Sequence, residues 1–151
     1  MLRQQLNDAL KTAMLAKDAK TVSTVRLILA ALKDRDIAAR PKGQANGVAE
    51  DEILSMLQGM IKQRKESIVL YDQGKRKDLS DKEADEIAII EKFLPAQMSE
   101  AETEAAVGEI IKTLGAKGLK EMGRTMAALK EKYAGKMDFT RASAIVKKQL
   151  G

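Results

Sequence analysis

Apolar residues recur along this chain at the three- and four-residue spacing of a helix almost from end to end. Leu2, Leu6, Leu10 and Met14 form the stripe of a first helix that ends near Lys17. Val22, Val25, Leu29 and Leu32 mark a second, which Pro41 must end because proline has no amide hydrogen to donate. Residues 41–48, with Gly43, Asn46 and Gly47, make up the most loop-like stretch. Glu50, Asp51 and Glu52 then stand where a third helix begins, and their charge suits the positive end of its dipole. Ile53, Leu57, Met60, Ile68 and Tyr71 supply its buried face, and Gly74 a C-terminal stop.

Ser80 followed by Glu83 reads as a capping box for a fourth helix, whose Ile87, Ile90 and Leu94 lead to Pro95. A second box, Ser99 and Glu102, opens a fifth helix carrying Val107, Ile110, Ile111 and Leu114. Gly115 and Gly118 bracket the next turn. Leu119, Met122, Met126, Leu129 and Tyr133 line a sixth helix that stops before Gly135. Asp138 caps the last helix, with Phe139, Ala142, Val146 and Leu150 along one side. No alternating segment of useful length calls for a strand. The expectation is an all-α fold: an N-terminal four-helix domain over residues 1–95, then a smaller three-helix domain over 96–151. The run Pro95-Ala96-Gln97-Met98 is the boundary.

Composition acts mainly by exclusion. Only Tyr71, Phe93, Tyr133 and Phe139 are aromatic, so the core must be aliphatic. Met14, Met56, Met60, Met122 and Met126 are read as core filling. The absence of cysteine rules out disulfides, thiolate metal sites and a cysteine nucleophile. The absence of histidine removes the commonest general base and transition-metal ligand. No metal and no cofactor are expected. No apolar run approaches the roughly 20 residues of a membrane span, so no membrane association is expected. The segment from Met1 to Asp8 lacks the apolar centre of a secretory signal. A cytoplasmic protein is expected on that basis.

Charge adds more when it is divided than when it is summed. The chain carries 27 basic and 22 acidic side chains. Residues 1–95 hold 17 basic and 15 acidic of these, a balance of +2. Residues 112–151 hold 10 basic and 3 acidic, a balance of +7. On ideal helices Arg124, Lys132, Arg141 and Lys148 project away from the apolar stripes, with Lys147 on the shoulder and Lys136 in the intervening turn. A solvated lysine-rich face would look the same. Phosphate binding gains ground from the pairing of a basic helix surface with a glycine turn that admits a close backbone approach.

A second basic cluster comprises Lys62, Arg64, Lys65, Lys75, Arg76 and Lys77. Arg64 differs from the rest because it lies in line with Ile53, Leu57, Met60 and Tyr71, which points to a structural arginine tied to a carboxylate. Asp36 also falls on an apolar stripe. A hairpin of the second and third helices would leave the two about 15 Å apart at ~1.5 Å per residue, so they are not each other's partner. Asp81, Glu83, Asp85 and Glu86 are read as complementing a helix dipole. No catalytic residue is assigned, for the chain has no S-x-x-K motif, no P-loop and no dinucleotide fingerprint.

Several blocks in order give a resemblance. Arg26-Leu27-Ile28-Leu29-Ala30-Ala31-Leu32-Lys33 and Met60-Ile61-Lys62-Gln63-Arg64-Lys65-Glu66-Ser67 resemble the YqeY-like proteins. So do Tyr71 with Gly74-Lys75-Arg76, Asp78-Leu79-Ser80, and Phe93-Leu94-Pro95-Ala96-Gln97-Met98-Ser99. The likeness continues through Met122-Gly123-Arg124-Thr125-Met126 and Gly135-Lys136-Met137-Asp138 to Val146-Lys147-Lys148-Gln149-Leu150. The family is similar to the C-terminal tail of GatB, a component of the glutamine-dependent aspartyl/glutamyl-tRNA amidotransferase. The resemblance implies an all-helical fold and a tail that engages tRNA, with Gly123 and Gly135 beside Arg124 and Lys136. Met137 stands where that tail commonly has a small residue.

Three functions follow from these readings. The first is a non-catalytic accessory protein that binds tRNA or another structured RNA, related to carbon–nitrogen ligases that use glutamine as amide donor. The second is an adaptor for a translation-related protein partner, without direct RNA binding. The third, a free-standing amidotransferase, lacks both a nucleophile and a nucleotide site. The first is the reading adopted.

Overall fold

The computed structural model describes Met1–Gly151 and is helical throughout, without strands. Its seven α-helices divide between two compact units, Met1–Leu94 and Pro95–Gly151. Unit 1 holds α1 (Leu2–Leu15), α2 (Ala19–Ala39), α3 (Glu50–Gln73) and α4 (Lys77–Glu91). Unit 2 holds α5 (Glu100–Leu114), α6 (Met122–Lys132) and α7 (Phe139–Leu150). The all-α fold expected from the periodicity is the one observed.

Unit 1 buries Leu2 and Leu6 of α1, Ile28 and Leu32 of α2, Ile53, Met56 and Leu57 of α3, and Ile87 and Ile90 of α4. The α3–α4 hairpin is its most extensive helix pair. Two helices here end in the same way. The Asp18 amide donates to the Ala13 carbonyl (2.9 Å) and the Lys17 amide to Met14 (3.2 Å). At the end of α3, the Arg76 amide donates to Tyr71 (2.8 Å) and the Lys75 amide to Asp72 (3.1 Å). Both are Schellman caps, and each puts a lysine in the left-handed region, Lys17 at φ 57° and Lys75 at φ 56°.

These caps account for departures from the expected boundaries. Gly74 has φ −83°, so Lys75 rather than Gly74 makes the left-handed turn. The chain therefore reverses at once, and α4 starts at Lys77 with Arg76 as its N-cap. Ser80 is not a cap but a buried residue inside α4, so the first expected capping box does not form. Asp18 caps α2 instead, accepting from the Thr21 amide at 3.2 Å. Met14 is half exposed and Ala13 takes the buried position, so Met14 is not core filling. α2 ends at Ala39, and Pro41 lies within a 3-10 turn, Arg40–Lys42, where its missing amide costs nothing.

Both polar residues found on apolar stripes have partners. Arg3 Nη1 and Nη2 each donate to a different oxygen of Asp36 at 2.7 Å. Arg3 Nη2 also reaches the Val48 carbonyl (2.9 Å), and the Val48 amide donates back to Asp36 (2.9 Å). One clamp thus ties α1, α2 and the loop before α3. The Arg3 hydrogen bonds hold the Asp36 carboxyl down at about 2, well below its usual 3.8. Gly47 fits against this clamp with φ +97°, and a Cβ there would lie 2.5 Å from Arg3 Nη2 and 2.8 Å from Asp36 Oδ1. Arg64 pairs instead with Glu86 across the α3–α4 hairpin at 2.8 Å, and both side chains are nearly buried.

Unit 2 is built around Ala106, Val107 and Ile110 of α5, Leu129 of α6, Met137, and Ala142 and Val146 of α7. The Ser99–Glu102 capping box is present in both directions, at 3.1 and 3.2 Å. Gly115 ends α5 at φ 62°, and Asp138 caps α7 through the amides of Thr140 and Arg141. Buried Thr103 and Thr125 satisfy their hydroxyls on the carbonyls of Ser99 and Glu121, one turn back.

Candidate nucleic-acid interface

The six basic residues singled out from the sequence are all exposed. They lie on α6 (Arg124, Lys132), in the turn after it (Lys136) and on α7 (Arg141, Lys147, Lys148). Their positions follow from the core. Leu129 on α6 and Ala142 and Val146 on α7 turn inward, which leaves the intervening positions to water. Lys112, Lys117, Lys120 and Lys130 are exposed in the same unit. The charge split pointed to them, but helix-face projection did not single them out.

The six are not equivalent. Arg124 Nη2 donates to the Leu114 carbonyl (2.9 Å), one of the last acceptors of α5, and pairs with Glu121 Oε2 at 2.9 Å. Arg124 is therefore partly spent on closing α5 and bracing the start of α6. The Lys132 ammonium lies 5.5 Å from the centroid of the Tyr133 ring, a cation–π distance. Lys147 and Lys148 occupy the last turn of α7, where the helix dipole favours cations in any case.

The glycines divide as well. Gly123 is exposed, and a Cβ there would meet nothing within 4 Å, so the first turn of α6 is open to a close neighbour. Gly135 is buried and its φ is 77°. Its carbonyl accepts from Gln97 Nε2 (2.6 Å), and the Lys136 carbonyl accepts from the Met98 amide (2.8 Å). The Gly135–Lys136 turn thus anchors the segment leading into α5, while the Lys136 side chain stays outside. Met137 is wholly buried in the core of unit 2. Its size fills that core and does not crowd the surface.

Cations elsewhere are used differently. In unit 1 Arg3 and Arg64 are drawn inward, Lys20 pairs with Asp85 (2.9 Å), and Arg76 with Asp78 (3.1 Å). No group of three or more acidic, histidine or cysteine side chains is placed to hold a metal ion. No helix is long and apolar enough to cross a membrane.

The family model described as Yqey-like protein matches residues 3–150, and the chain belongs to that family. Its relatives include the protein named "Altered inheritance of mitochondria protein 41, mitochondrial". The Kluyveromyces lactis form is 37% identical over 111 residues, covering 72% of this chain and 58% of the relative. The Lachancea thermotolerans form is 35% identical over 112 residues, covering 72% and 57%. The Saccharomyces cerevisiae form is 37% identical over 89 residues, covering 59% and 46%. The chain spans about half the length of the curated relatives it matches.

These relatives overturn the expected cytoplasmic location, because each is named as a mitochondrial protein. The expectation rested on the missing apolar centre of a secretory signal. Mitochondrial leaders are amphipathic and arginine-rich instead, so that absence does not separate cytoplasm from mitochondrion.

Proposed function

We infer that this chain is a non-catalytic accessory protein that binds tRNA or another structured RNA through the exposed basic surface of α6 and α7. Supporting the reading is the net charge of +7 over residues 112–151, with Arg124, Lys132, Lys136, Arg141, Lys147 and Lys148 all outside the core. Resemblance to the tRNA-engaging tail of the amidotransferase adds to it. That enzyme supplies amide-transfer chemistry; this chain contributes phosphate contacts and leaves catalysis to a partner. Lysine and arginine contacts of this kind set affinity and orientation, not base sequence.

Each phosphate neutralised releases condensed counterions, so five contacts give a log–log salt slope of about −3 to −5. The sharpest variant is Lys136→Ala with Lys148→Ala, because Arg124 also closes α5 and its loss would mix folding with binding. Anisotropy titrations against total and mitochondrial tRNA at several salt concentrations should show the slope flatten by about one to two units. Circular dichroism should show unchanged helix content. Replacing Lys33 and Lys65, exposed in unit 1, should leave the slope nearly unchanged. A folded tail variant that keeps both affinity and slope would reduce this surface to a solvated face.

A further inference from the structure

The turn between α5 and α6 reads Gly115-Ala116-Lys117-Gly118. Gly115 stands at φ 62°, and Gly118 at φ 88° and ψ 168°, a region essentially confined to glycine. Nothing packs against either one: an added Cβ would meet no atom within 4 Å at Gly115 or at Gly118. Ala116 is the buried residue of the turn. Arg124 Nη2 on the Leu114 carbonyl ties the two ends of the segment together, so the turn is held in shape with its backbone open to solvent. The amides of Gly115 and Ala116 close α5 on the carbonyls of Lys112 and Ile111, whereas those of Lys117 and Gly118 donate to no acceptor in the chain.

The charge around this turn is of one sign. Lys112, Lys117 and Lys120 stand before, within and just after it, all exposed and without an ion pair or hydrogen bond. Glu121 is the one acidic residue between 112 and 124, and Arg124 holds it at 2.9 Å. Open backbone, free amide donors and unpaired cations thus coincide here, while Gly135 is buried and offers no such approach. A G-x-x-G turn is also what RNA-binding modules of the KH type close on the nucleic-acid backbone, where the missing side chains let the strand come near.

We propose that the Gly115–Gly118 turn grips the sugar-phosphate backbone of the RNA, with phosphates on Lys112, Lys117 and Lys120 and on the amides of Lys117 and Gly118. This rests on the RNA reading above and adds a contact point to the α6–α7 surface. Contacts of this kind fix the position of the strand and carry no base sequence.

The test compares variants of the full chain in anisotropy titrations with total tRNA, with polyglutamate in parallel. Gly115→Asn places a side chain on the open backbone while keeping a residue that tolerates the left-handed region. It should weaken tRNA binding by about tenfold or more, the effect of losing hydrogen bonds to a charged group. Gly43→Asn makes the same change at an open left-handed glycine of unit 1 and should leave affinity unchanged. Lys117→Ala with Lys120→Ala should flatten the log–log salt slope by about one to two units. Amide NMR should show the fold kept in every variant and, in the unaltered chain, the Lys117 and Gly118 amides among those shifted most by tRNA. If Lys136→Ala with Lys148→Ala weakens tRNA binding while the turn variants do not, the turn assignment falls and the RNA reading stands. No tRNA binding by the unaltered chain would end both. Polyglutamate bound as tightly as tRNA, with the same loss in Gly115→Asn, would make the partner an acidic protein and overturn the assignment.

Discussion

The two units differ in what holds their helices together. Unit 1 draws two of its six arginines inward: Arg3 locks α1, α2 and a loop together through Asp36, and Arg64 joins α3 to α4 through Glu86. Unit 2 reaches the same end with backbone and small polar groups: Gln97 and Met98 stitched to the Gly135–Lys136 turn, and two buried threonines bonded within their own helices. Its lysines are left outside. The charge balance is near neutral in unit 1 and strongly basic in the tail, and the inward arginines are confined to unit 1. The tail is the better candidate for phosphates because most of its cations carry no structural duty; Arg124 is the exception.

The largest expected effect sharpens that contrast. Arg64→Ala leaves Glu86 nearly buried without its partner and should destabilise unit 1 by about 3 kcal/mol, read by chemical denaturation. Replacing both partners with apolar residues, Arg64→Met with Glu86→Leu, should recover most of the loss. If Arg64→Ala were no worse than Lys136→Ala, the division between inward and outward cations would not hold.

Gly47→Ala should come next, at about 2–3 kcal/mol. The new methyl lands on the two atoms that form the Arg3–Asp36 pair, so the clamp must open or the loop must shift, in a backbone conformation that already disfavours alanine. Thermal unfolding of the variant checks this.

Acid should weaken the same clamp. The folded Asp36 carboxyl titrates near 2 against 3.8 ordinarily, so its contribution is complete above the higher value and fades as pH falls toward the lower one. The loss should be at most about 2 kcal/mol. Asp36→Asn should flatten that part of the stability–pH curve.

The sequence made the helices legible because their apolar spacing is regular, and the exposed tail cations because charge and periodicity agree there. Long-range partners were less legible. Asp36 was visible as a polar residue on a stripe, but Arg3 and Val48 come to it from a different helix and a loop, which periodicity does not position. Arg64 carried a signal in its spacing: Arg64 and Glu86 lie equally far on either side of Lys75, where the α3–α4 hairpin turns. Ser80 carries the capping pattern without the position for it. The left-handed turn at Lys75 starts α4 earlier and makes Ser80 an interior residue.

The helix ends give the smallest and most symmetrical test. α1 and α3 close with lysine in the left-handed region, whereas α5 closes with Gly115. A left-handed lysine carries steric strain that glycine avoids, partly offset by glycine's greater freedom in the unfolded chain. Lys75→Gly should therefore stabilise the α3–α4 hairpin by a few tenths to about 1 kcal/mol. Gly115→Lys should destabilise the end of α5 by a similar amount. Amide hydrogen exchange resolves each unit separately, so opposite changes in protection around 71–80 and 111–118 are the expected result. A Lys75→Gly variant that loses protection would mean that the lysine side chain holds the turn in some further way, and the cap would join the structural cations of unit 1.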